Sequence, residues 1–396
     1  MDSFEQWASD GGIQVFSVKI VKTAHAGHGL FAAKDVAANQ VLMHIPQEML
    51  ITAPRVLYFP YIKPFCDKSD RVVLCLFLAH ERFRAESSAW KPYVDSLPSD
   101  DFHQHNHLLH NPQWVAGTSL AEAVKAKNAS LRREHSELGL NWLTINMWIW
   151  ADITFWSRVV ELGNGELTLA PFFDFANHSL APNIRWEQSA GLDLVPFGEP
   201  ITANTELVLS YGAKSNKELL FLHGFSIPHN TEPSTVTLPL ARFLDDPQKF
   251  AWIGQNTNRM LTLDRNGWNS NAFEMMYLAV LDEDDGLYWK EGYLYLGAQR
   301  IDDLNALAQS VKSLDHFQVI ELRVVVLLLD AVQHHYQELE TVHRTENSML
   351  RDYIELYVQE EKSILERAIQ TLEDQQRQLM EHSTVISYLS AVQQEM

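Results

Sequence analysis

Pro171-Phe172-Phe173-Asp174-Phe175-Ala176-Asn177-His178-Ser179, with Pro182-Asn183 close behind, sets four polar side chains inside an aromatic-rich run. Buried polar groups need partners, so the segment reads as a hydrogen-bonded crossing, with an ordinary structural turn as the alternative. Upstream, Asn141 to Glu161 is rich in tryptophan and apolar residues and reads as a buried helix capped by Thr144. Downstream, Ile184 to Trp186, Leu192 to Val195 and Glu206 to Leu209 read as short strands. The last of these delivers Tyr211-Gly212 at its end, before Ser215-Asn216-Lys217-Glu218-Leu219-Leu220 and Gly224-Phe225. A tyrosine hydroxyl beside backbone groups freed by a glycine can bind or polarise an amine; a core tyrosine at a strand end is the alternative.

Towards the N-terminus, Val15 to Ile20 alternates apolar and polar residues, the period of a half-buried strand, and Val41 to Ile45 is a second strand. Between them, Gly27-His28-Gly29-Leu30-Phe31-Ala32 fits the G-x-G-x-x-A dinucleotide fingerprint, with Glu48 near the expected acidic position. That fingerprint needs a helix directly after the glycines, because the helix N-terminus binds the pyrophosphate. Here the next regular element reads as a strand, so a dinucleotide oxidoreductase, which would require a helix starting near Phe31, is disfavoured. Glycines between strands also let the backbone approach a ligand closely.

Asp70 to Arg84 has helical spacing after the Ser69-Asp70 cap signal. Asp101 to Leu140 is polar, rich in histidine, and reads as part of a mostly helical insertion. His103, His105, His107 and His110 could suggest a metal site, but without cysteines or a matched second pair they read as a polar surface loop. Beyond about Asn230 the texture changes. Leu314 to Gln337 and Asn347 to Glu381 are long helical patterns, and Leu350, Ile354, Val358, Leu365, Ile369 and Leu372 form one apolar stripe, expected to pack on a neighbouring helix, with dimerisation as the alternative.

The 396 residues suffice for two domains, and 31 basic against 51 acidic side chains give 31 − 51 = −20. That field attracts basic protein partners and repels phosphate backbones, which disfavours direct nucleic-acid binding. Met1 to Asp10 lacks the basic and apolar regions of a secretory signal, and the longest aliphatic run, Val324 to Leu329, is far too short to span a bilayer. Cys66 and Cys75 are expected to stay reduced, and the chain to be a cytoplasmic or nuclear monomer. The sequons at Asn128 and Asn177 would then not meet the glycosylation machinery.

Taken in order, these pieces resemble the SET domain, in particular the branch that includes the Rubisco large-subunit lysine methyltransferases, the actin-histidine methyltransferase and the fungal ribosomal-protein lysine methyltransferases. Gly27 to Ala32 resembles the family's first S-adenosylmethionine loop and Trp156-Ser157-Arg158 its Ser-Arg element. Asp174 to Ser179 resembles its Asn-His crossing, and Tyr211-Gly212 its catalytic tyrosine; Ser215-Asn216 and Gly224-Phe225 continue the match. The resemblance covers roughly Ile13 to His229. It implies an α+β fold: a β-rich SET domain over residues 1–230 with a helical insertion at about 92–140, then an all-α substrate-binding domain over 231–396.

The resemblance further implies that His28, Gly29, Leu30, Arg158, Asn177, His178, Tyr211 and Phe225 hold S-adenosyl-L-methionine, with Arg158 on its carboxylate, where a guanidinium fork fits. Tyr211 would be catalytic, and Ser210, Tyr211 and His223 would contact the substrate. The implied reaction is methyl transfer to a side-chain nitrogen of a basic protein, lysine before histidine; a non-catalytic SET-like scaffold is the alternative. The nucleophile must be a neutral amine although free lysine has a pKa near about 10.4. An apolar channel and a cationic donor both lower that value, and no metal is needed. The branch often has tyrosine before Gly-Phe where this chain has His223, which bears on acceptor geometry and the number of methyls added.

Overall fold

The computed structural model describes residues 2–23, 27–99, 101–102, 107–257, 259–269, 271–341 and 348–395. The chain divides into two compact units. Residues 1–112, 123–232 and 345–353 form the first, and residues 113–122, 233–344 and 354–396 the second.

The first unit is built on small sheets. One has the order Val18–Lys22, His28–Ala32, Glu206–Leu209, Asn177–His178. Its first three strands are antiparallel neighbours, with Leu30 opposite both Ile20 and Leu207, whereas Asn177–His178 runs parallel to Val208 and Leu209. A second sheet orders Gln14–Val15, Met43–Pro46, Gly191–Pro196 and Ile184–Gln188, all antiparallel. A third joins Ile51–Thr52, Leu167–Leu169 and Val160–Glu161.

The strand read over Val15 to Ile20 is therefore two strands in two sheets. It breaks at Phe16-Ser17, where both amide groups donate to the Leu42 carbonyl at 3.0 and 3.2 Å. His28–Ala32 is a strand in its own right. Phe31 thus pairs with Lys19 and Glu206 instead of starting a helix, which removes the dinucleotide-fold reading.

The helix over Asp70–Arg84 has the bounds its spacing predicts. Ile145–Arg158 is the tryptophan-rich helix, and Thr144 caps it by accepting from the Met147 amide at 3.1 Å. Trp148, Trp150, Phe155 and Phe77 are fully buried. Asp152 on this helix is buried between Arg71, at 2.6 Å, and Lys127, at 2.8 Å. Removing one member of such a set strands a charge, at a cost of about 3–5 kcal/mol. In the insertion, Lys91–Ser96 and Ala121–Leu138 are helical. His103 and His105 lie outside the described residues, and among the described residues no group of side chains could hold a metal ion.

The second unit carries Leu304–Lys312, Phe317–Glu338 and most of Ser348–Met380 as helices. Leu350, Ile354, Val358, Leu365 and Leu372 of the expected stripe are buried, and Ile369 packs on the core. The region read as all-α also holds two three-stranded sheets, Val236–Pro239/Met260–Asp264/Gly267–Trp268 and Leu287–Lys290/Tyr293–Leu296/Gln299–Ile301. The second is seeded by a tight hairpin in which Glu291 and Gly292 both take positive φ, 54° and 83°. That is the turn which matches strand twist, and Glu-Gly between alternating Leu, Trp and Tyr was its signature in the sequence. Residues 113–122 are fastened within this unit by a buried polar cluster. The Ser119 amide donates to Glu361 Oε1 at 2.8 Å, His335 Nε2 reaches the same oxygen at 2.8 Å, and the Ser119 and Tyr357 hydroxyls are 3.3 Å apart. No helix among the described residues is long and apolar enough to cross a membrane.

Candidate active site

The four-stranded sheet that ends in Asn177–His178 brings three distant stretches of the first unit together. Gly29 sits on its second strand so close to the fourth that a Cβ there would lie 2.9 Å from Asn177 Nδ2 and 2.9 Å from Glu206 Oε1. Asn177 Nδ2 itself donates to Glu206 Oε1 at 2.8 Å. The glycine is thus required for close approach, the use that the sequence suggested. The crossing is hydrogen-bonded throughout. Asn183 donates to the Glu206 carbonyl at 2.7 Å and accepts from the Val208 amide at 2.9 Å, while the Ser179 amide donates to the Leu209 carbonyl at 2.8 Å.

Tyr211 follows the third strand. Its amide donates to His178 Nδ1 at 3.0 Å, and its hydroxyl donates to the Ala176 carbonyl at 2.8 Å. The phenol is held in place by the same crossing that carries Asn177 and His178. Burial raises its pKa to about 12, so it stays neutral and its oxygen keeps lone pairs beyond the donated proton. Because Nδ1 of His178 accepts, the neutral ring carries its proton on Nε2, and that buried atom has no protein partner. Burial lowers the pKa of His178, and Lys214 adds to the effect.

His223 ends the helix Asn216–His223, which opens with a capping box between Ser215 and Glu218. Gly224 follows in the left-handed region at φ 79°, turning the chain so that Phe225 lies beside the same rings. Ring centroids separate Tyr211 from His223 by 4.8 Å, Tyr211 from His178 by 5.1 Å, and Phe225 from His178 and His223 by 6.2 and 6.1 Å. Neither nitrogen of His223 has a protein partner, and burial, then Lys214, push its pKa down to about 4. Tyr353, which the sequence reading did not single out, faces Phe225 at 6.3 Å.

Arg158, last residue of its helix, donates to the Asp174 carbonyl at 2.7 Å and pairs with Asp174 Oδ2 at 3.3 Å. Its guanidinium lies 5.8 Å from the Phe175 ring, and His28 meets the other edge of this group with its ring 6.1 Å from Phe175. His28 is held below its ordinary value by burial, Lys22 and Arg158. Leu30 is fully buried beneath the strand, and Ser210 is exposed, its hydroxyl accepting from the Gly212 amide at 3.2 Å. The expected residues therefore form one connected neighbourhood in the first unit, with Arg158 and His28 at one end and His223 and Phe225 at the other. Phe172 beside it takes a strained φ of 77°, a conformation that costs a bulky residue roughly 1–3 kcal/mol and collects at functional sites.

The profile of the SET domain family matches residues 27–212, from the first glycine of the loop to the glycine after Tyr211. That stretch is similar to a SET domain. Among curated relatives, it is 28% identical to the ribosomal lysine N-methyltransferase set10 of Schizosaccharomyces pombe, over 55% of this chain and 43% of that protein. It is 21% identical to an actin-histidine N-methyltransferase of Drosophila melanogaster, over 59% of this chain and 50% of that protein. A crystal structure of the SET domain of LSMT bound to lysine and AdoHcy shares the fold with a TM-score of 0.76 at 21% identity, covering 96% of this chain and 92% of that one. Alignments to the first curated relatives span between 43% and 68% of their length. Within residues 27–212, sequence reasoning passed over the partners that orient the polar groups, Glu206 for Asn177 and Asp174 with Tyr93 for Arg158. Their signal was a carboxylate in an otherwise apolar run at Asp174; nothing local marked Tyr93.

Proposed function

We propose that this chain is an S-adenosylmethionine-dependent protein N-methyltransferase, with lysine as its acceptor. The observation that carries the reading is the cluster of rings around Tyr211. A neutral phenol fixed by the Ala176 carbonyl is ringed by His178, His223 and Phe225, and the two imidazoles keep nitrogens without protein partners. Leaving buried donors and acceptors unmet costs about 1–3 kcal/mol each, so such atoms fit a ligand or ordered water. His28, His178 and His223 are all held below their ordinary pKa and are uncharged at neutral pH. Uncharged aromatic faces suit a cationic donor, which an imidazolium would repel.

When bound, S-adenosylmethionine supplies an electrophilic methyl group on a positively charged sulfur. Its holders are His28, the backbone of Gly29 and Leu30, Arg158, Asn177, His178, Tyr211 and Phe225. Tyr211 uses its oxygen lone pairs to orient the acceptor nitrogen, and with its pKa at about 12 it is not the base that deprotonates it. Burial among His178, His223 and Phe225 disfavours the ammonium form of an entering lysine, so its proton is lost to solvent before transfer. Ser210 and His223 contact the substrate at the rim. The charge of −20 favours a basic protein, ribosomal proteins being one class, met in the cytoplasm or nucleus by a monomeric enzyme whose C-terminal unit binds it. Histidine is the second acceptor. The relative that modifies actin histidine supports it, as does His223, whose neutral ring can hydrogen-bond an imidazole.

The test is transfer of labelled methyl from S-adenosylmethionine into a lysate of cells lacking the protein, with mass spectrometry of the labelled residue. Tyr211→Phe should lower transfer by about 100-fold or more, a far larger loss than it causes in cofactor binding. A wild-type protein that labels nothing would sink methyl transfer, and undiminished labelling by the variant would remove Tyr211 from the mechanism.

A further inference from the structure

We infer that Tyr93 and Asp174 are positioning residues that fix the Arg158 guanidinium in the orientation a ligand carboxylate needs. The inference rests on the methyltransferase reading and deepens it by naming how the amino-acid end of the cofactor is gripped. Tyr93 lies on the helix Lys91–Ser96, at the start of the insertion, and is fully buried with its ring stacked 6.4 Å from Trp7. Its hydroxyl donates to Asp174 Oδ2 at 2.9 Å. The same carboxylate oxygen is 3.3 Å from Arg158 Nη1, which also donates to the Asp174 main-chain carbonyl at 2.7 Å.

Asp174 therefore holds one edge of the guanidinium by two oxygens, and Tyr93 holds Asp174. Arg158 Nε and Nη2 have no protein partner among the described residues, so the rest of the planar fork is unspent. An arginine clamped on one edge presents its other N–H groups in a fixed plane, the arrangement that recognises a carboxylate, and a clamped side chain loses less rotamer freedom when the ligand binds. The guanidinium is part of the site, because its charge acts on both His28 and Tyr211. Asp174 also balances that charge when no ligand carboxylate is present. It is buried, its pKa is raised by burial against the opposing pull of Arg158, and its Oδ1 has no partner. A carboxylate so placed is costly to bury unless holding Arg158 requires it.

Calorimetry with two probes tests the pair. S-Adenosylhomocysteine carries the carboxylate, and 5′-methylthioadenosine lacks the whole amino-acid end. Asp174→Asn should weaken S-adenosylhomocysteine about tenfold or more, the scale of one charge-assisted contact, and leave methylthioadenosine within about twofold. Tyr93→Phe should do the same to a smaller extent, and it keeps the test open if Asp174→Asn does not fold. In an Arg158→Ala background Asp174→Asn should cause no further loss, because the two act as one unit. Equal weakening of both probes, or unchanged binding of S-adenosylhomocysteine, overturns the positioning role while the cofactor reading stands. A wild-type protein that binds neither probe overturns the cofactor reading and this inference together.

Discussion

Two buried imidazoles, His335 in the second unit and His223 in the first, occupy opposite kinds of environment. His335 gives its Nε2 to Glu361, and Glu361 also takes the Ser119 amide. Burial pushes the Glu361 carboxyl upward, but the hydrogen bonds from His335, Tyr357 and Ser119 outweigh it and leave the pKa below the ordinary carboxylate range. His223 has no such partner at either nitrogen, and burial alone dominates its titration. A polar group paired through one nitrogen, as in His335, fastens a fold even though its Nδ1 is left without a hydrogen bond; a ring with both nitrogens enclosed and unpaired, as in His223, makes a fold wait for something else. The contrast separates structural from functional polarity in a chain with 17 histidines, where residue type says nothing.

The sharpest way to break this contrast is to remove one group from each side. Glu361→Ala strands His335 and the Ser119 amide, and should cost about 3–5 kcal/mol in denaturant unfolding. His223→Phe removes two unmet polar atoms and should be neutral or stabilising by about 1 kcal/mol, while transfer to the acceptor falls. If His223→Phe destabilises as much as Glu361→Ala, the imidazole is structural and the distinction fails.

The pH dependence of stability sharpens it further. His223 has a folded pKa of about 4 against an ordinary 6.5. Between those values the unfolded chain binds a proton that the folded chain does not. Stability should therefore fall with falling pH in that window, by on the order of 1.4 kcal/mol per unit at most, and His223→Phe should flatten the slope. Glu361 has a lowered folded value, so its contribution is full above the ordinary 4.5 and is lost only as pH falls through that lower value. Glu361→Gln should therefore alter the acid limb below about 4.5 and leave the His223 window alone. Thermal melts of both variants across pH check the assignment; a slope that responds to the wrong variant refutes it.

The smallest expected effect is at Gly29. A methyl group there would press on the ends of Asn177 and Glu206, which can shift, so Gly29→Ala should cost about 1 kcal/mol of stability. Cofactor affinity should fall because Asn177 is displaced, and calorimetry with S-adenosylhomocysteine reads it.

Much of this was legible in residue order. Local patterning gave the helix Asp70–Arg84 outright and the Thr144 cap to the residue, since spacing and capping are short-range physics. The run from Gly27 through Asn177-His178 to Tyr211-Gly212 carried the resemblance to the SET domain, and the family profile matches that same stretch. What local pattern could not show was the break at Phe16-Ser17, where one alternating stretch serves two sheets, or the strand His28–Ala32, too short and too close to Gly27 and Gly29 to be told from a turn. The sheets of the second unit were signalled by Glu291-Gly292 but masked by the long helical stripes around them.

Only the tertiary structure could decide which polar groups are spent. Tyr93 and Asp174 are 81 residues apart, and Ser119 and Glu361 are 242 apart. Hydrogen bonding acts over about 3 Å of space and ignores separation along the chain. The sequence therefore supplies the chemistry of each side chain, and the fold determines whether that chemistry is consumed within the protein or left available to a ligand.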